Sequence, residues 1–304
     1  MPHDHSHAHH HDHTPDHFGW TFAIATALNL ALVIGQVWYG LAANSLALLA
    51  DAGHNFGDVL GLILAWGAIA IANWKPSNRF TFRMQAASIL SAFANGVILL
   101  VATGAIAWEA IRRFSEPQPV ASTTVMVVAA LAVVVNGVSA WLLSRGGKSD
   151  LNVHGAFLHM LGDAGVSVAV IAAALGIMLT GWQWLDPVAS LLISAVILWG
   201  TWGLLRESIR LTLNAAPRDI DPRDVRQYLA GLPPVEDVHD LHIWAMSTKE
   251  TALSCHLVTP QGHPGDAFLH DVSHALHHRF DIGHATLQIE LVPGACALQC
   301  EGRV

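Results

Sequence analysis

Apolar residues in this chain fall into six long blocks joined by short polar stretches, after which the pattern turns to alternation. The blocks run over Phe18–Leu41, Ser45–Ala72, Gln85–Ile111, Thr123–Ser144, Asn152–Thr180 and Pro187–Leu213. Each is as long as the about 20 residues a helix needs to cross a ~30 Å hydrocarbon core, so six membrane spans are predicted. Ala42-Ala43-Asn44 is so short a joint that the first two helices must form a tight antiparallel hairpin. From about Asn214 a proline-punctuated linker leads into a helix over Asp221–Ala230. Val238–Ala245 and Thr251–Val258 alternate as strands about the turn 246–250. Phe268, Val272, Leu276 and Phe280 repeat on one face of a helix over Pro264–Phe280, and Ala285–Val292 is a last strand. The order α-β-β-α-β predicts a small α+β domain with its helices on one sheet face. The expected fold is therefore an all-α six-helix transmembrane bundle plus a C-terminal α+β domain. Its parts are a tail over 1–17, the bundle over 18–213 and the domain over 214–304.

Composition agrees with that division. Charged residues make up 12% of the chain, against about 25% in soluble domains, and mean hydropathy is +0.43. A formal net charge of −8 argues against a nucleic-acid partner. The 20 histidines make that charge sensitive to pH. Lys75, Arg79, Arg83, Arg145, Lys148, Arg206 and Arg210 fall on one side of the predicted spans. Arg112 and Arg113, offset by Glu109 and Glu116, fall on the other, and this bias places both termini in the cytoplasm. Cys255, Cys296 and Cys300 all follow the last span, an odd count that fits a reduced tail rather than a disulfide framework. The chain opens on MPHDHSHAHHHDHTPDH instead of a basic n-region, so no cleavable signal peptide is expected. This tract reads as a disordered, metal-collecting tail, and the interleaved Asp4, Asp12 and Asp16 distinguish it from a purification tag.

Two spans carry the same costly pattern, His-x-x-x-Asp: His54 with Asp58, and His159 with Asp163. A four-residue step keeps each pair on one helix face, and an acid at mid-bilayer costs roughly 2.5–3.5 kcal/mol or more. The plain alternative is two separate polar pairs, each His satisfied by its own Asp. Duplication favours one four-ligand site across two helices, whose two imidazoles and two carboxylates suit tetrahedral Zn²⁺. Gly53, Gly57, Gly155, Gly162 and Gly165 near these residues permit close helix approach. Asp51, three residues before His54, is read as an acceptor supporting a ligand, as an entry residue, or as a plain structural hydrogen-bonding group. Asn29, Gln36 and Asn136 are expected to bond between helices, and Glu109 to pair with its neighbouring arginines. In the C-terminal domain His239, placed just before the first strand, His256 and Glu290 are metal-type residues that neighbouring strands can bring together. Cys296 and Cys300 are further candidate ligands.

With these residues in view, the chain resembles the cation diffusion facilitator family of zinc transporters. SLALLADAGHNFGDVLGL resembles that family's second transmembrane helix, DLNVHGAFLHMLGDAGVSVAV its fifth and WLDPVASLLIS its sixth. VHDLHIWAMST, LSCHLV and HATLQIE resemble its C-terminal domain. The resemblance implies a homodimeric efflux protein that exchanges Zn²⁺ for protons, with Co²⁺ and Cd²⁺ as further candidate cargo. It also implies a metallochaperone-like, metal-sensing cytoplasmic domain and a location in the lipid of a bacterial inner membrane. By motif, His54, Asp58, His159 and Asp163 take the transport-site positions, and His239, His256 and Glu290 fall at or near cytoplasmic zinc-ligand positions. Zinc is thus expected both as cargo and as a regulatory ligand. The loop NWKPSNRFTF offers no Asp or His for the extra metal site some relatives carry there. SRGGKSD is short and lacks the His-rich loop of others. Two other classes compete with this one. An intramembrane metalloenzyme would keep an open coordination position, which a four-ligand quartet lacks. A membrane metal sensor would depend on the tail and the C-terminal domain alone.

Overall fold

A computed structural model of the protein describes residues 18–145 and 151–292. The His-rich tail, Lys148, Cys296 and Cys300 lie outside the described residues. Helices α1 (Phe18–Ala42), α2 (Leu46–Ala72), α3 (Ala87–Arg113), α4 (Ser122–Arg145), α5 (Leu151–Thr180) and α6 (Leu185–Thr212) coincide with the apolar blocks. They are followed by α7 (Pro222–Ala230), β1 (Asp237–Ala245), β2 (Thr251–Val258), α8 (Asp266–Phe280) and β3 (His284–Glu290). The described residues divide into two compact units, the first running up to residue 59 and from 103 to 195, the second from 60 to 102 and from 196 on.

In the first unit α1 and the start of α2 form the tight hairpin. Asn44 turns the corner at φ 56°, a left-handed conformation that Asn tolerates better than most residues. Gly40 packs closely beside it: a Cβ there would lie 2.9 Å from the Leu49 side chain, which would have to shift. Asp186, at the start of α6, closes the N-terminus of α2. Its carboxylate accepts bonds from Ser45 Oγ at 2.6 Å, Leu46 N–H at 2.7 Å and Ala47 N–H at 3.3 Å. α4 and α5 pack along their length. Val125, Ala129, Ala132 and Ala140 of α4 are buried, and so are Val170 and Ala174 of α5. Small side chains of this kind let membrane helices approach closely. Asn136 does not bond between helices as expected: among the described residues its fully buried amide has no hydrogen-bond partner.

The second unit holds the C-terminal domain. Asp221 caps α7, accepting from Arg223 N–H at 2.9 Å, and Pro222 occupies the first turn, where its missing N–H does no harm. Strands β1 and β2 are antiparallel while β2 and β3 are parallel, the latter joined by the crossover helix α8. Val225 and Leu229 of α7 share one core with Leu253, Cys255 and Leu257 of β2 and Val272 and Leu276 of α8. In β1, Val238 and Ile243 both enter that core although they are five residues apart, an odd step that would put them on opposite faces. A bulge resolves this. His239 pairs with His256 and His242 with Ser254, so three steps on β1 match two on β2. The extra residue falls by Asp240, which has φ 49°. Also within this unit, Gln85 donates to Glu250 at 3.0 Å, and Thr248 N–H donates to Ser88 Oγ at 3.1 Å. The start of α3 and the segment before it are thereby tied to the β1–β2 turn.

Two candidate metal centres

The first cluster sits where α2 and α5 face each other. The four-residue step lines up His54 with Asp58 on α2, and His159 with Asp163 on α5. The pairs close across the helices. His54 Nε2 lies 3.0 Å from Asp163 Oδ1, and His159 Nε2 lies 3.2 Å from Asp58 Oδ2. His159 Nε2 also lies 3.9 Å from Asp163 Oδ2, within its own helix. The ligand atoms of His54, Asp58 and Asp163 are all within 4.8 Å of one another, and His159 joins through its two carboxylate contacts. The cluster is sealed at one end and open at the other. Side-chain exposure is 2% for Asp163 and 45% for His159.

One helical turn from these residues lies a second polar layer. Asp51 is fully buried and accepts from Gln36 Nε2 at 2.6 Å and Ser167 Oγ at 2.9 Å. Gln36 in turn accepts from Asn55 Nδ2 at 3.1 Å. Of the three readings of Asp51, the structural one fits: its partners are on α1 and α5, and none is a metal-type ligand. The sequence offered little to find Ser167, an ordinary small residue in an apolar helix. Glu109 bonds Arg112 at 3.3 Å and Arg113 at 3.5 Å, as expected of a charge cluster at a helix end.

The second cluster lies on the sheet of the C-terminal domain, on the face away from its core. Since Leu253, Cys255 and Leu257 point inward, strand alternation turns His256 outward. His239, inside β1 rather than before it, is directly opposite. His256 pairs with Gln288 of the parallel β3, and Glu290 is the next residue on that same face. His256 Nδ1 lies 2.8 Å from Glu290 Oε1, and His239 Nε2 lies 3.4 Å from Glu290 Oε2. The three ligand atoms are mutually within 4.8 Å. Among the described residues, His239 Nε2 and Glu290 Oε2 are buried without a hydrogen-bond partner. Buried polar groups in native proteins rarely stay unmatched, and a divalent cation among two imidazoles and a carboxylate would satisfy this set. The neighbouring Cys255 is not part of it: burial in the core pushes its thiol up to about 12.

A multi-pass membrane protein with a His/Asp cluster between two spans and a His/Glu cluster on an appended α+β domain defines a class of metal-handling membrane proteins. Comparison with known proteins narrows the class. Residues 22–212 match the family description "Cation efflux transmembrane domain", and residues 217–292 match "Cation efflux protein, cytoplasmic domain". The chain belongs to the cation efflux, or cation diffusion facilitator, family, whose members are transporters and not enzymes. It is 39% identical over 272 residues to the zinc transporter ZitB of Pectobacterium atrosepticum, covering 88% of this chain and 83% of that protein. It is 35% identical over 275 residues to the cadmium, cobalt and zinc/H(+)-K(+) antiporter of Bacillus subtilis, covering 89% and 87%. A solved metal-bound C-terminal domain of the CzcD transporter from Cupriavidus metallidurans is 34% identical, covering 24% of this chain and all of that one, with a TM-score of 0.23.

Proposed function

We propose that this protein is a Zn²⁺/H⁺ antiporter that exports zinc from the cytoplasm through a tetrahedral site of His54, Asp58, His159 and Asp163. The observation that carries the reading is the crossed pairing, His54 with Asp163 and His159 with Asp58. Paired carboxylates and imidazoles that meet across two helices can exchange their mutual contacts for one shared cation. Two carboxylates neutralise a divalent charge, and imidazole nitrogen suits a borderline metal better than an all-oxygen site would. Co²⁺ and Cd²⁺ belong to the same ligand preference, and the name of the Bacillus relative includes both.

Proton coupling follows from ligand chemistry. A histidine binds metal only through a neutral ring, so Zn²⁺ and protons compete for the same lone pairs. Affinity therefore rises with pH. Zinc loads on the side where the rings are neutral and is displaced where they protonate, and the protonated site then returns. Movement of α2 and α5 against the remaining helices would alternate access to it. In this reading both termini are cytoplasmic, residues 18–213 form the membrane domain of an inner-membrane homodimer, and residues 214–304 hold regulatory zinc at His239, His256 and Glu290.

Reconstitution tests it. Proteoliposomes with an imposed pH gradient should show zinc uptake with opposing proton flux, and Asp58→Ala and Asp163→Ala should abolish both while leaving the protein folded. Zinc movement without counter-flow of protons would refute antiport. Transport retained in Asp163→Ala would refute the site.

A further inference from the structure

The C-terminal centre has an outer ring of carboxylates that its three ligands do not account for. Each histidine there turns one nitrogen to Glu290 and the other to a second acid. His256 points Nδ1 at Glu290, and its Nε2 lies 3.6 Å from Asp240 Oδ2. His239 points Nε2 at Glu290, and its Nδ1 lies 3.4 Å from Asp237 Oδ2. The two rings thus use opposite nitrogens toward the shared point. A neutral imidazole can offer its lone pair at one nitrogen only when the proton sits on the other. For both rings to serve one ion, His256 must carry its proton on Nε2 and His239 on Nδ1. An acid stands at each of those positions.

Asp240 reaches its place by an unusual backbone path. In an uninterrupted strand, residue 240 would point away from His239's face, onto the core side. The bulge and the left-handed φ of 49° break that alternation. The outer face then receives a carboxylate whose Oδ1 is also 3.0 Å from His242 Nε2. Left-handed backbone is uncommon outside Gly, with Asp and Asn enriched among the exceptions. Gly would suit the geometry better but would bring no carboxylate.

We propose that Asp240 and Asp237 are positioning residues of the C-terminal metal centre, fixing the tautomer and orientation of His256 and His239, with the β1 bulge as the device that delivers Asp240. This rests on the reading of His239, His256 and Glu290 as zinc ligands. Outer carboxylates on metal-bound histidines typically change metal affinity 10–100-fold when removed.

The informative substitution is Asp240→Gly, because glycine accepts positive φ and removes only the carboxylate. The experiment is Co²⁺ titration of the full-length protein in detergent against a competing chelator that keeps weak sites empty. The membrane quartet is silenced by Asp58→Ala with Asp163→Ala. In that background Asp240→Gly should bind Co²⁺ about 10–100-fold more weakly, with an unchanged or higher unfolding temperature. Asp240→Asn, whose amide oxygen still accepts an N–H, should fall between wild type and Gly, and Asp237→Asn should also weaken binding. The visible absorption of Co²⁺ at saturation should keep its wild-type shape, as the directly bound atoms are unchanged. Wild-type affinity in Asp240→Gly would overturn the proposal. So would a changed Co²⁺ spectrum at saturation, which would make Asp240 a ligand itself. His256→Ala separates the two readings. If it also bound Co²⁺ normally, the ligand assignment would be the part at fault.

Discussion

Asp51 shows what a single buried residue can do from outside the candidate ligand set. One carboxylate oxygen holds Gln36 of α1 and Ser167 of α5 one turn away from His54 and Asp163. Replacing it with Ala leaves both donors unmatched inside the bundle, at roughly 1–3 kcal/mol for each orphaned group. Asp51→Ala should therefore lower the unfolding temperature in detergent and loosen zinc binding, because the helices that carry the ligands lose their common tether. Asp51→Asn, which keeps an acceptor, should be milder. An unchanged melting temperature in Asp51→Ala would show that the layer is not structural. The His/Asp cluster was legible in the sequence because ionisable residues in apolar helices stand out and the spacing repeats. Ser167 was not, since a serine in such a helix has no distinctive pattern until its partner is known. Asn136 misled for a related reason: polarity within a span predicts a partner, yet this amide has none.

Among the secondary-structure elements, the start of α2 carries the clearest prediction. A helix N-terminus exposes unpaired N–H groups, and here the acceptor comes from Asp186, far along the chain on α6. Arg113, 4.0 Å from the same carboxylate, helps balance its charge and also donates to the Asn44 carbonyl at 2.5 Å. Asp186→Ala should destabilise the fold by about 1–3 kcal/mol and fray the first turn of α2, seen as faster hydrogen exchange at Leu46 and Ala47. Unaltered exchange there would count against the cap. All six apolar blocks became helices, because continuous hydrophobicity of that length has one solution in lipid. The strands emerged nearly as alternation predicts, with β1 starting one residue earlier at Asp237 and β3 ending at Glu290. The bulge was hidden, since Val-His-Asp-Leu-His contains no glycine to mark it. It appears only through the phase shift that lets Val238 and Ile243 share a core.

For the whole molecule, the placement of sulfur sets a limit on what can disable it. Among the described residues neither candidate centre contains a thiolate, and the described thiol, Cys255, is buried in the domain core and held protonated. Thiolate zinc sites release their metal when sulfur is oxidised, whereas imidazole and carboxylate ligands offer an oxidant no comparable handle. Treatment of the Cys296→Ser, Cys300→Ser protein with a thiol oxidant such as diamide should leave zinc transport and Co²⁺ binding at both centres within twofold of the untreated protein. A larger loss would show that Cys255 becomes accessible during the transport cycle. If the proposed nitrogen and oxygen ligands are the transport site, an oxidant that releases zinc from thiolate sites would leave this route for the freed metal open.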